Sequence, residues 1–531
     1  MPAGSTAIAP RDEPIGVLLR WLDRIAIAVL LALVALYAAM SLRWPFNWDH
    51  GIFAWIAETI VHGGLPYRDA WDVKGPLTFY TFALVRVVTG RGMWGIRLFD
   101  LLLLAGGAFA AARVVSRVGG PGAGRYAALF LVLLYGGAGY WDTAQPDGWA
   151  AIILLLAFGP LFSSAPTAPA AAYRAGAACG VAALYKPLFG VFLLVPLLYV
   201  LLGTEQRISA RLRQAVLVAL SCAVPLAGCA AWFAAQGALG TMVDTYVRYN
   251  LEQAAFPATV AMSAGRRFLW RLTVMRVVPP ALIAGAIGLA VVFRSDRRTA
   301  ILLFVWLGLG LWSVWTQHRF WSLYQWHVAL VPLAVVAWVG VGRLWHAPLI
   351  GPFGVALRLA VAALGLLLLV RVAHRPIRDG LRWLELVRGR MTAEQYDGVY
   401  ASAPLSWSVL QARQVARYVE AHTAPTDRVL VWSDPTVNYL TGRPGVGRLI
   451  FHNAFDTDHP TPHREAYRAE LLRDLAQRPP KLIVIARRNL DPADSINEAN
   501  VASRFPQLAE LLARNYHPVD TIGSMIVQLR N

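Results

Sequence analysis

The chain has 531 residues, of which 57% are hydrophobic and only 15% charged, with 20 tryptophans and a net charge of +18. That balance excludes an ordinary soluble globular protein and points to a polytopic membrane protein. The arginines sit in short clusters between apolar runs and never build a basic face with RNA-binding signatures, so the charge excess points to anionic lipid and not to nucleic acid. Cys179, Cys222 and Cys229 all fall inside apolar runs, without metal-ligand spacing or a disulfide framework.

No small-residue cleavage site follows the residues before Trp21, and the first apolar run, IAIAVLLALVALYAAMSL, is long enough to be a retained transmembrane helix. Further runs of spanning character recur at 94–115, 126–142, 147–162, 174–186, 188–203, 214–236, 273–293, 299–316, 326–343 and 354–372, which with 25–42 predicts about eleven spans. Segment 76–89 is too short and carries Arg86, so it reads as an interfacial helix, as does the amphipathic stretch GIFAWIAETIVHGG. Arginine-rich loops mark alternate connections, RVVSRVGGPGAGR, GTEQRISARLR, RSDRR and GRLWH, and the positive-inside rule places these in the cytoplasm. Residues 43–93, 143–146, 237–272, 316–325 and everything after 373 then lie outside.

Composition changes beyond the last span. Residues 373–404 read as an amphipathic connector, and 405–531 alternate helix and strand patterns: QARQVARYVEAH, RVLVWS, REAYRAELLRDLAQ, KLIVIAR, ASRFPQLAELLARNY and SMIVQLR. A small α/β domain with a doubly covered sheet is expected there. It holds no cluster of acids, histidines or cysteines at catalytic spacing, and Asp434 before Pro435 reads as a turn residue.

The densest polar chemistry follows the first span, in NWDHGIFAWIAETIVHGGLPYRDAWDVKGPLTFY, residues 47–80. Asp49 stands at the membrane edge, where a carboxylate avoids the cost of mid-bilayer burial. It is either a base or the cap of a helix beginning near Gly51. Asp147 in QPDGW has the same two readings at the span starting at Gly148. The chain contains only three lysines, Lys74, Lys186 and Lys481, and the first two precede proline turns at an outer membrane edge. A lysine ammonium is a compact point charge suited to a phosphate oxygen. Asp72 and Asp69 read as loop carboxylates satisfied by Arg68 or backbone amides, Asp72 with a direct binding role as the alternative. Glu58 falls on the polar side of its helix. Trp48, with Trp44, Trp55 and Trp71, belongs to an aromatic belt, or one of them stacks on a sugar ring.

In order, these features resemble bacterial GT-C glycosyltransferases of the protein O-mannosyltransferase and lipid A aminoarabinose transferase group: a first span ending in Asp49, then LPYRDAWDVKGPLTFYTFAL, GIRLFDLLLL, QPDGW, LYKPLFG and HRFWSLYQWHVALVPLAVV. The resemblance covers essentially the whole chain. It implies a GT-C-like transmembrane catalytic domain over 1–372, with interfacial helices in the external loop 43–93, and an extracytoplasmic α/β domain over 405–531. It implies an enzyme of the bacterial cytoplasmic membrane that takes a sugar from a polyprenyl phosphate and passes it, with inversion, to a lipid, glycan or protein acceptor. By the same resemblance, Asp49 matches the carboxylate of the first external loop, Lys74 the phosphate-facing lysine and Asp147 the acid of the second external loop. Arg319, Tyr324 and His327 fall in the late loop that approaches the lipid phosphate. Where the family often has an acidic pair this chain has Asp49-His50, and where it has Glu-Lys this chain has Val73-Lys74, so a divalent metal clamp is not supported.

Three rival readings remain: a transporter or flippase of a lipid-linked sugar, a ligase-like transferase using a diphosphate donor of the O-antigen type, and a non-enzymatic assembly or sensor protein. Against the first stand nearly uncharged spans and acids crowded on one side. The outer carboxylate and lysine set argues against the last.

Overall fold

A computed structural model describes residues 14–162, 169–203, 207–255, 264–317, 322–347, 351–401, 408–432, 435–451, 461–487 and 496–531. Arg319 and Asp434 lie outside the described residues. In chain order the first helices are α1 (Pro14–Ser41), α2 (Trp48–Val61), α3 (Pro76–Thr89), α4 (Trp94–Val118), α5 (Ala123–Gly136), α6 (Pro146–Phe158), α7 (Pro169–Tyr185) and α8 (Leu194–Leu201). They continue with α9 (Ile208–Ala235), α10 (Leu239–Val243), α11 (Asn250–Ala255), α12 (Ala264–Val274), α13 (Val278–Ser295), α14 (Arg297–Thr316), α15 (His327–Trp345) and α16 (Gly351–Val387).

Among the described residues, seven helices are long and apolar enough to cross a membrane: Arg20–Ser41, Trp94–Val118, Ile208–Ala235, Val278–Ser295, Arg297–Thr316, Leu323–Trp345 and Gly354–Val387. The other expected spans are helical too, but shorter, at Ala123–Gly136, Pro146–Phe162, Pro169–Tyr185 and Pro187–Leu201. Helix α15 forms the centre of the bundle, buried on nearly every side. Its approach to α13 depends on Gly340 and Gly288: a Cβ on Gly340 would stand 2.0 Å from the Ala284 carbonyl, and one on Gly288 2.4 Å from the Gly340 Cα. Close packing through small residues is the usual way for helices to associate where lipid offers no hydrophobic drive.

Two expectations change in detail. The predicted span 126–142 ends early, because α5 stops at Gly136 and the chain turns through Gly139 at φ +87°. The expected boundary at 372/373 falls inside α16, which runs 37 residues without a break and carries Pro376 within it. The connector therefore begins as the last turns of a spanning helix and continues into α17 (Ala393–Val399).

The C-terminal segment contains α18 (Val409–His422), β1 (Val429–Val431), α19 (Thr436–Thr441), α20 (Pro462–Gln477), β2 (Leu482–Ala486), α21 (Val501–Arg504), α22 (Pro506–Asn515), β3 (Tyr516–Ile522) and β4 (Met525–Arg530). Its sheet runs β1-β2-β4-β3, with β1 and β2 parallel and the other neighbours antiparallel. One face packs Val429, Val431, Leu482, Val484 and Val527 on Ala412, Val415 and Val419 of α18. The opposite face, with Leu430, Ile483 and Ile485, shares a core with Leu471, Leu475, Leu508 and Leu512 of α20 and α22. The continuous apolar strands β1 and β2, buried on both faces, produce the doubly covered sheet expected from the sequence.

Candidate functional site

Helix α2 begins at Trp48, not near Gly51, and its N-cap is Asn47, whose side chain accepts from the His50 amide at 2.8 Å. His50 returns the capping bond through Nδ1 and reaches the Ala144 carbonyl through Nε2 at 3.1 Å. Burial, and then the Arg97 guanidinium, hold the His50 imidazole well below its usual pKa. Because Asn47 supplies the cap, Asp49 is left without that duty. Adjacent in sequence, Asp49 and His50 thus do different work: His50 is buried in the protein, whereas Asp49 is partly exposed and accepts from Gln145 Nε2 at 3.2 Å.

The loop after α2 brings up Lys74. Asp72 accepts from the Lys74 amide at 2.8 Å, an Asx-type turn in which a side chain replaces a backbone acceptor. Burial pushes the Asp72 carboxyl up to about 7 despite the opposing pull of Lys74. Gly75 follows, with its amide donating to the Tyr185 carbonyl at 3.1 Å. A Cβ there would lie 2.0 Å from the Leu184 carbonyl oxygen, so only glycine lets the loop touch the end of α7. Lys74 Nζ reaches the Tyr324 hydroxyl at 3.5 Å. Burial pulls the Lys74 ammonium down, but Tyr324, Asp49, Asp147 and Asp72 together outweigh it and hold it above its usual value.

Lys74 Nζ thus faces the Tyr324 hydroxyl, and Asp49, Asp72 and Asp147 add to the negative field around it. Asp147, in the first turn of α6, forms a 2.9 Å ion pair with Lys186, which also donates to Gln317. His327 faces inward: it is 1% exposed, sits 3.0 Å from the Asp142 carbonyl oxygen through Nε2, and packs on the Tyr135 ring at 4.4 Å. Trp48 packs edge-on against Phe451 of the C-terminal segment. Glu58 is buried and paired with Arg86 at 2.8 Å.

Four participants were not singled out as site residues from the sequence. Gln145 touches Asp49, Lys186 pairs with Asp147, and Asp142 holds the Tyr324 amide at 3.1 Å. Arg97 of α4, 1% exposed, donates to the carbonyls of Pro45, Tyr140 and Thr143, tying the segment that leads into Asp49 to the loop that carries Asp142 and Gln145. That loop includes Ala144 at φ +56°, a conformation that costs a non-glycine residue energy and is held here by His50 and Tyr135. Only the scarcity of lysine hinted at Lys186.

The C-terminal domain clamps the same loop from above. Arg448 pairs with Glu470 through two hydrogen bonds and donates to the Tyr67 carbonyl at 2.9 Å, while its own carbonyl accepts from the Trp71 amide at 3.0 Å. Trp71 packs among Tyr249, Phe451 and Tyr467. His463 lies between Glu252 and Asp244, 3.2 Å from the latter, joining α20 to α11 and the helical segment before it. Among the described residues no three His, Cys, Asp or Glu side chains converge as the ligands of a metal ion would.

This arrangement, a spanning bundle with a polar loop cluster capped by an α/β domain, superposes on ArnT from Cupriavidus metallidurans bound to undecaprenyl phosphate, with a TM-score of 0.61 at 16% identity over 96% of this chain and 97% of that one. The two chains share one fold. The apo form of the same ArnT gives a TM-score of 0.60 at 16% identity, over 96% of this chain and 98% of that one. The likeness thus includes the C-terminal domain as well as the bundle. No family model matches the sequence, and no curated protein does.

Proposed function

We propose that the chain is a GT-C glycosyltransferase of the bacterial cytoplasmic membrane that moves a sugar from a polyprenyl-phosphate donor to an acceptor hydroxyl of a lipid, glycan or protein at the outer face. The observations that support this reading are the Lys74 ammonium against the Tyr324 hydroxyl and the partly exposed Asp49 carboxylate held by Gln145, at the end of the bundle covered by the α/β domain. The ArnT with the same fold was captured with undecaprenyl phosphate bound, which favours a lipid phosphate as the ligand here.

In this reading Asp49 takes the proton from the acceptor hydroxyl as its oxygen attacks the anomeric carbon. The bond from that carbon to the phosphate oxygen breaks, and its electron pair leaves with the phosphate. A positioned base is worth about 10²–10⁴-fold in rate. Lys74 and Tyr324 meet the charge that grows on the departing phosphate, a contribution that strengthens in the transition state. One displacement with one base inverts the anomeric centre. Asp147, neutralised by Lys186, shapes the field around Lys74, and Asp72 shapes its loop. The positive-inside pattern supports an extracytoplasmic position for the α/β domain.

Purified protein in vesicles, supplied with a polyprenyl-phosphate sugar and a hydroxyl acceptor, is expected to form a glycoside of inverted configuration. Translocation of the lipid-linked sugar without transfer would contradict the proposal in favour of a flippase. Transfer only from a diphosphate donor would replace it with the ligase-like reading.

A further inference from the structure

We propose that Asp142 is a positioning residue for this reaction, acting on the donor phosphate through Tyr324. The inference rests on the donor-phosphate reading above. Asp142 lies in the loop between α5 and α6 and is 9% exposed. Its Oδ1 accepts from the Tyr324 amide at 3.1 Å. Its carbonyl oxygen lies 3.0 Å from His327 Nε2. One residue thus grips the short turn Leu323–Trp326 and the first residue of α15 through both side chain and backbone.

That turn carries the Tyr324 hydroxyl, 3.5 Å from Lys74 Nζ. Tyr324 and Lys74 are 250 positions apart, and no other hydrogen bond fixes the Tyr324 side chain among the described residues. The hydroxyl's position therefore follows the backbone that Asp142 holds. Arg375 of α16 and Arg271 of α12 favour the ionised carboxylate, against the larger effect of its burial. A misplacement of about 1 Å at a group that orients substrate costs on the order of 10²-fold in rate.

The test is a double-mutant cycle with conservative rescue, read as kcat/KM for transfer from a polyprenyl-phosphate sugar and as affinity for undecaprenyl phosphate alone. Asp142→Ala is expected to lose about 10- to 100-fold in kcat/KM. Asp142→Asn, whose amide oxygen still accepts from the Tyr324 N–H, should recover most of that loss. In a Tyr324→Phe background, Asp142→Ala should cost less than about twofold further, because the hydroxyl it positions is already gone. Amide exchange at Leu323–Trp326 should quicken in Asp142→Ala and stay slow in Asp142→Asn, in proteins whose unfolding temperatures match the parent's. Full multiplicative effects in the double mutant, or failure of asparagine to rescue, would overturn the positioning role while leaving the proposed function standing. A parent protein that neither binds undecaprenyl phosphate nor transfers sugar would overturn both.

Discussion

In the proposed reaction Asp49 and Lys74 have opposite tasks, and their replacement separates them. Asp49→Asn keeps size and hydrogen bonding but cannot take a proton, so turnover should fall by about 10²–10⁴-fold with donor affinity nearly intact. Lys74→Ala should weaken donor binding and turnover together, since its charge meets phosphate in the ground state and more strongly as the bond breaks. Equal loss of affinity in both variants, measured by lipid titration, would show that the roles are assigned wrongly. Asp72 makes a different prediction. Its carboxyl, raised by burial to about 7 from an ordinary 3.8, binds its proton more tightly in the fold than in the unfolded chain. Its contribution is fully present below about pH 4 and is lost as the pH rises through 7. Asp142, raised by burial to about 6, acts with the same sign. The buried His50 acts with the opposite sign, so the test is a difference: the unfolding temperature of Asp72→Asn should rise relative to the parent's between pH 5 and pH 8. A difference that stays flat or falls would contradict it.

At the scale of elements, long apolar runs and short apolar strands were legible because burial writes them directly into the sequence. Helices α1 and α9 and strands β1, β2 and β4 fall where those patterns placed them. Strand β3 was missed: YHPVDTI holds Pro518 and exposes most of its side chains, so it shows no apolar alternation, and it pairs at the sheet edge with an irregular register at Pro518/Asp520. Pro506 likewise splits one expected helix into α21 and α22. The candidate site was legible where a residue type was rare or stood at a span edge, as with Lys74 and Asp49. Gln145, Asp142 and Arg97 were not, because their importance lies in contacts 46 to 182 positions away. Gly75 offers a test of the loop as a unit. Gly75→Ala forces the loop off the Leu184 carbonyl, so donor affinity should fall toward that of Lys74→Ala even though the ammonium is retained. Unchanged affinity would mean that the contact with α7 does not set the lysine.

Across the whole molecule, the α/β domain touches the site loop and not merely the end of the bundle. Arg448 connects Glu470 to the Tyr67 carbonyl, and Trp71 is enclosed by rings from both the domain and the helical segment before α11. Arg448→Ala should therefore quicken amide exchange over 62–75 and lower turnover, while the bundle keeps its protection; exchange confined to the domain itself would separate the domain from the site. Cysteines placed at His62 and Val519, both exposed, should label from the same side of intact vesicles, opposite to one at Arg213. The most direct test of the account is a structure determined with a polyprenyl phosphate bound. It should show the phosphate within hydrogen-bonding distance of Lys74 Nζ and the Tyr324 hydroxyl, with Asp49 facing the position of the sugar. A phosphate held elsewhere, with Lys74 still against the Tyr324 hydroxyl alone, would contradict it.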